Sequence, residues 1–174
     1  MRRSALICVA LVWMGLSLNC HRPPQQVTQS RAEYYQARLD SIARARTALL
    51  RDLRKYERRW AVRGPTNYQF RLRPGCYCDA KPAADIAVQR GTIVEIRDTT
   101  GRILPDSIRL HYAYTIPRLF EQIRSELGND NVTVMARFDR RFGFPVYIAT
   151  DNVHIWDGGY TLEVTGFRTL SVEK

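Results

Sequence analysis

The sequence predicts an α+β fold: one antiparallel sheet of about five or six strands, with a long N-terminal helix and a second helix packed on one face. Three features carry that prediction. An apolar stripe at steps of three, four and seven runs through residues 31–62, the repeat of a helix that buries one side. From Tyr68 the apolar period falls to two, the repeat of a half-buried strand. Later strand-like segments follow one another in hairpin succession, without the strand–helix alternation of a parallel sheet.

In the long helix the stripe is Tyr35, Leu39, Ile42, Leu49, Leu53, Tyr56 and Trp60. Asp40 precedes Arg44 by four residues, the favourable order for a helical ion pair. Pro65 cannot continue the helix and marks its end. Tyr68, Phe70 and Leu72 then alternate with Gln69, Arg71 and Arg73 as a first strand. Residues 85–98 read as a hairpin turning near Arg90-Gly91, followed by a polar loop and a short apolar piece, "LHYAY". Thr115 suits the N-cap of the second helix, Pro117 its first turn and Gly128 its stop. Ile116, Leu119, Phe120, Ile123 and Leu127 give that helix its apolar face. "VTVMARFD", "PVYIATD" and "YTLEVTGFRTL" supply three further strands.

The ends place the protein. Arg2 and Arg3 precede an uncharged apolar run that is shorter than a membrane span, so residues 1–19 read as an export signal. Cys20 closes the run and opens a polar, proline-containing linker over 20–30. It resembles the lipid-bearing cysteine of a bacterial lipoprotein, although Ser17 and Asn19 depart from the usual residues before it. The expected location is therefore the cell envelope, with the protein held to a membrane by a lipid anchor. The long helix occupies 31–62 and the α+β domain 63–174.

Net charge is +10, and removal of Arg2 and Arg3 leaves 10 − 2 = +8, nearly all of it from arginine. Such a chain is drawn to polyanions. Export disfavours nucleic acid and leaves anionic lipid headgroups, or an acidic envelope component, as the expected counter-surface. Arg38, Arg44, Arg51, Arg54, Lys55, Arg58 and Arg59 on the long helix are the residues expected to meet it.

Five short motifs then occur in order: Trp60, "NYQF", the C-Y-C of residues 76–78, "TIPRLFEQI" and "ARFDRRFGFPVYIATD". Their spacing resembles an uncharacterised family of small bacterial exported proteins and lipoproteins, a domain of unknown function. The resemblance covers roughly residues 60–168. It implies no activity, cofactor or catalytic residue. In the last motif, Gly143 and Pro145 read physically as a turn or bulge that re-aims a strand, with Phe142 and Phe144 capping the core.

Cys76 and Cys78 are the two cysteines of the mature domain. Residues two apart on an extended strand lie about 6.6 Å apart, whereas a disulfide wants Cβ atoms about 3.5–4.5 Å apart. A bridge therefore needs a bend, which Pro74-Gly75 makes plausible. A structural bridge, a metal site and a redox couple remain open. Zinc needs two more ligands, and His21, His111 and His154 are far off in sequence. The spacing also departs from the two intervening residues of a redox motif. Asp139, Asp151 and Asp157 fit turn positions better than a carboxylate pair. No hydrolase, phosphate-loop or dinucleotide signature occurs. The function expected is a non-catalytic, lipid-anchored binding module without a cofactor, the alternative being a metal-binding or thiol-redox protein using Cys76 and Cys78.

Overall fold

In the computed structural model, which describes residues 31–76, 81–152, 154–155 and 158–171, ten elements follow one another. They are α1 (Arg31–Arg63), β1 (Tyr68–Cys76), β2 (Ala84–Gln89), β3 (Thr92–Asp98), α2 (Asp106–Arg109), a 3₁₀ turn (Leu110–Tyr112), α3 (Ile116–Leu127), β4 (Val132–Phe138), β5 (Pro145–Asn152) and β6 (Tyr160–Thr169). The strands form one six-stranded sheet in the order β3-β2-β1-β6-β5-β4, and every neighbouring pair is antiparallel. This is the α+β fold that the alternating pattern predicts. The turn between β2 and β3 is built from left-handed backbone at Arg90 (φ 51°) and Gly91 (φ 78°), as a two-residue hairpin demands.

One face of the sheet is covered. Tyr68, Phe70 and Leu72 of β1, Ala84, Ile86 and Val88 of β2, and Leu162 and Val164 of β6 are buried on it. Against them α3 sets Ile116, Leu119, Phe120, Ile123 and Leu127. Full burial of each large side chain is worth about 1.5–3 kcal/mol relative to exposure. The start of α3 is fixed twice. Thr115 Oγ1 accepts the Arg118 N–H at 3.3 Å, and the Tyr68 hydroxyl accepts the Ile116 N–H at 3.0 Å. Each contact satisfies one of the unpaired donors at a helix start. Gly128 closes the helix, its N–H reaching Arg124 O at 3.1 Å, with φ −75° and so in ordinary right-handed backbone.

The other face is polar. Arg71 clasps Asp85 at 2.8 and 2.9 Å, Arg73 holds Glu163 at 3.0 Å, and Arg97 pairs with Glu95. These pairs are open to water and add little stability.

α1 departs from the expected packing. Its stripe is continuous in sequence, but only Leu53 and Trp60 are buried, with Leu49 and Tyr56 packed beside them. Every residue from 31 to 45 is exposed, and Tyr35 (52%), Leu39 (60%) and Ile42 (40%) have no core beneath them. The reason is length. A helix of 33 residues is about 50 Å long at about 1.5 Å per residue, whereas the sheet's longest strand has ten residues and reaches about 33 Å. Nor does Asp40 pair with Arg44; it accepts from Gln36 Nε2 at 3.1 Å.

At the other end of α1 lies an aromatic cluster. Trp60 meets Tyr68 edge-on (5.3 Å between centroids, 87°) and also contacts Phe144 and Phe167. Phe144 stacks on Phe167 at 4.4 Å. The "DRRFGFP" segment delivers Phe142 and Phe144 to this cluster. Asp139 Oδ1 accepts the N–H groups of Arg141 (2.9 Å) and Phe142 (2.6 Å), closing a turn before Pro145 opens β5. The register of β4 against β5 shifts at Arg137/Phe138, so the turn carries a bulge. Gly143 sits in it at φ 94°.

A candidate ligand cleft and a basic helix face

β1 and β6 pair to their ends, setting Gly75 opposite Thr161 and Cys76 opposite Tyr160. A Cβ on Gly75 would come within 2.5 Å of Thr161 Oγ1, so the bare residue leaves room for that hydroxyl. α3 and the 3₁₀ turn stop short of covering this end of the sheet, and a cavity opens on each side of the strand pair.

The larger cavity, about 490 Å³, lies on the side of Gly75, Tyr147, Ala149, Asp151 and Thr161. It also reaches Thr150, whose hydroxyl accepts the Tyr160 N–H at 3.2 Å.

The smaller cavity, about 260 Å³, lies on the helix side and concentrates the polar groups. Pro74, Leu110 and Leu162 give it apolar walls, and Cys76, Lys81, His111, Tyr114, Gln122 and Tyr160 line the rest. Three of its side-chain contacts interlock. Gln122 Nε2 donates to the Tyr160 hydroxyl at 2.7 Å and to Glu126 Oε1 at 2.9 Å, and the Tyr160 hydroxyl donates to Glu126 Oε1 at 3.0 Å. Gln122 and Glu126 are presented together because residues four apart share a helix face. Burial pushes the Tyr160 phenol well above the ordinary 10.0, with the Glu126 carboxylate adding to the effect and the Gln122 hydrogen bond opposing it. Burial likewise raises Tyr114, against the pull of Arg118 and with the push of Glu126. Tyr160 is thus a neutral phenol at physiological pH, its proton committed to Glu126. A neutral phenol of this kind can orient a ligand by hydrogen bonding.

The predicted site residues are scattered. Cys76 ends β1 and lines both cavities. Cys78, Cys20 and the export segment lie outside the described residues, and so does Asp157. His111 lines the same cavity as Cys76 despite its distance in sequence. His154 sits in the β5–β6 connection. Asp139 and Asp151 stand at opposite ends of the β4–β5 pair, where Phe138 faces Pro145 and Thr133 faces Asp151. They form no carboxylate pair. Among the described residues no three His, Cys, Asp or Glu side chains cluster at metal-binding range, and no helix is long and apolar enough to cross a membrane.

The seven basic residues of α1 expected to meet a polyanion do not form one surface. Arg44, Arg51, Arg54, Lys55 and Arg58 are exposed and recur at steps of three, four and seven, which sets them opposite Leu53 and Trp60. Arg38 falls toward the apolar side. Arg59 turns to the domain, donating to Arg140 O at 2.7 Å and lying 5.2 Å over the Tyr56 ring. The cleft network escapes sequence reading because Gln122 and Tyr160 are 38 residues apart. Only the i, i+4 pairing of Gln122 with Glu126 is a local signal.

Residues 52–169 match the model of a family described as of unknown function, DUF6174. The match begins beyond the exposed first half of α1 and runs to the last residue of β6. No curated protein and no solved structure gives a significant match to the chain.

Proposed function

Given that the chain belongs to DUF6174, a family of unknown function, we propose that it is a lipid-anchored extracytoplasmic binding module whose ligand enters the helix-side cleft at the Cys76/Tyr160 end of the sheet. The observation that carries this reading is the interlocked Gln122–Tyr160–Glu126 contact at the edge of an apolar-walled cavity. Concave apolar walls with a few convergent polar groups are the usual make-up of small-molecule sites. A phenol held neutral and already donating favours recognition over turnover. Anchoring rests on Cys20 behind its apolar run, and acyl chains there would contribute about 0.8 kcal/mol per buried methylene.

Two measurements test it. Mass analysis of the full chain recovered from membranes is expected to show a lipid adduct on Cys20 and loss of residues 1–19; full-length, unmodified protein in the cell interior overturns the anchored reading. Native mass spectrometry of the same material is expected to show a retained small-molecule adduct. Leu110→Trp, which narrows the cleft mouth, should remove that adduct. An adduct unaffected by this change, or none in the wild type, removes the cleft.

A second reading has one observation in its favour: His111 lines the same cavity as Cys76. Thiolate and imidazole suit copper or zinc. Metal analysis with a thiol count on the purified chain tests it. Stoichiometric copper or zinc, lost on Cys76→Ser and reduced on His111→Ala, would replace the first reading.

A further inference from the structure

We infer that the outward face of α1 is a docking surface for an anionic bilayer, with Arg44, Arg51, Arg54, Lys55 and Arg58 as its contacts. All five are exposed. Arg44, Arg51, Arg54 and Arg58 make no ion pair and no side-chain hydrogen bond among the described residues. Most other arginines of the domain are engaged: Arg46 with Asp130, Arg71 with Asp85, Arg73 with Glu163, Arg97 with Glu95, Arg102 with Asp98, Arg118 with Glu121 and Arg124 with Glu57. Among the described residues eight arginines are ion-paired, whereas the four of the row carry no counter-charge. The acids of that span, Asp52 and Glu57, fall on its flanks, and Glu57 is taken by Arg124.

The shape of the row selects the occupant. From Arg44 to Arg58 it extends about 21 Å along the helix axis, straight and without a concavity, which fits a planar charged surface and not a single anion. The same residues point away from the core side of α1, so a surface laid on them meets no part of the sheet. The exposed stripe of Tyr35, Leu39 and Ile42 lies on the opposite side of the helix and cannot share that surface. The contact is therefore electrostatic, without apolar insertion. The bilayer is also the nearest polyanion if Cys20 carries the anchor. Ten residues separate Cys20 from α1, and ten extended residues span at most about 36 Å. This step rests on the anchored reading above.

Arginine modification by phenylglyoxal, mapped by mass spectrometry on the full chain in vesicles, tests the inference. Vesicles of phosphatidylcholine alone are compared with vesicles containing phosphatidylglycerol at about one third of the lipid. Each basic residue near an anionic surface gains about fivefold in local affinity, so modification of Arg44, Arg51, Arg54 and Arg58 should fall at least fivefold in the anionic vesicles. Arg90 and Arg168, on the domain, should react equally in both. Added salt should restore the four sites. Equal reactivity of the four in both vesicles overturns the proposal, as does equal protection of Arg90 and Arg168. Protection by soluble polyphosphate as strong as that by vesicles reassigns the row to a free polyanion. The lipid mass on Cys20 is read from the same samples. An anchored but unprotected protein refutes the docking face alone, whereas an unmodified Cys20 refutes the anchor.

Discussion

Gly143 touches the backbone of α1 so closely that a Cβ there would stand 2.6 Å from the carbonyl oxygen of Tyr56 and 3.0 Å from Cβ of Arg59. The β4–β5 turn and the helix meet at a glycine because nothing larger fits, and the φ of 94° excludes other residues a second time. Gly143→Ala is expected to cost about 2–3 kcal/mol, from strained backbone and displaced helix together. Thermal denaturation reads it. A loss within about 0.5 kcal/mol would show that the turn shifts freely and does not pin α1.

The two halves of the α1 stripe should behave as different materials. Leu53→Ala removes a side chain that is 1% exposed and should destabilise the fold by about 2–4 kcal/mol. Leu39→Ala removes one that is 60% exposed and should change stability by less than about 0.5 kcal/mol. Urea denaturation of the pair measures the contrast. Equal losses would mean that the exposed half is covered in solution.

Tyr160→Phe keeps the ring and deletes the hydroxyl that bonds both Gln122 and Glu126. The expected cost is about 1–2 kcal/mol, since a part-buried amide and carboxylate lose a shared partner. The change also has a pH signature. In the folded state the phenol holds its proton above the ordinary 10.0, so its contribution is complete below that pH and is lost as pH rises past it. Wild-type stability should fall between about pH 10 and 11, and the Phe variant should fall less steeply. Tyr68 and Tyr114 are raised too and leave a residual slope. Identical slopes in the two proteins would detach Tyr160 from the cleft network.

Asp98 makes an acid-limb prediction. Its Oδ1 accepts from Thr100 Oγ1 (2.6 Å), Thr100 N–H (2.8 Å) and Arg102 N–H (2.9 Å), holding the loop after β3. The Thr100 side chain is the largest cause, followed by the Arg102 backbone, of a pKa lowered from 3.8 to about 2. The stabilisation is present above pH 3.8 and disappears as pH falls toward 2. NMR titration of the Asp98 carboxyl should give a midpoint near 2. Asp98→Ala should abolish that limb of the loop's pH response. A midpoint near 3.8 would contradict the hydrogen-bond assignment.

What the residues disclosed in advance was whatever depends on neighbours along the chain. Thr115, Pro117 and Gly128 bracket α3 correctly because capping is local chemistry. The alternation of Tyr68, Phe70 and Leu72 sets which face of β1 is buried because the pleat has a fixed period. The stripe of α1 was read too far. Periodicity tells which side of a helix is apolar, not how much surface stands opposite, and Tyr35, Leu39 and Ile42 overshoot the sheet. The cleft was illegible for a related reason: Cys76, His111, Gln122 and Tyr160 come from four elements and meet only through strand pairing and helix packing. The basic row was visible as composition, but its division from Arg38 and Arg59 needed the helix docked.

The unbroken run of α1 from Arg31 to Trp60 has a mechanical consequence. Load applied at residue 31 acts through a stiff lever about 22 Å long before it meets Arg46, which is tied to Leu127 and Asp130. A pull sideways is multiplied at that fulcrum, and the helix would peel from the body residue by residue, beginning at Arg46 and Leu49. A pull along the axis must shear all those contacts at once. Single-molecule stretching from the N-terminus should therefore give a rupture force that depends strongly on direction.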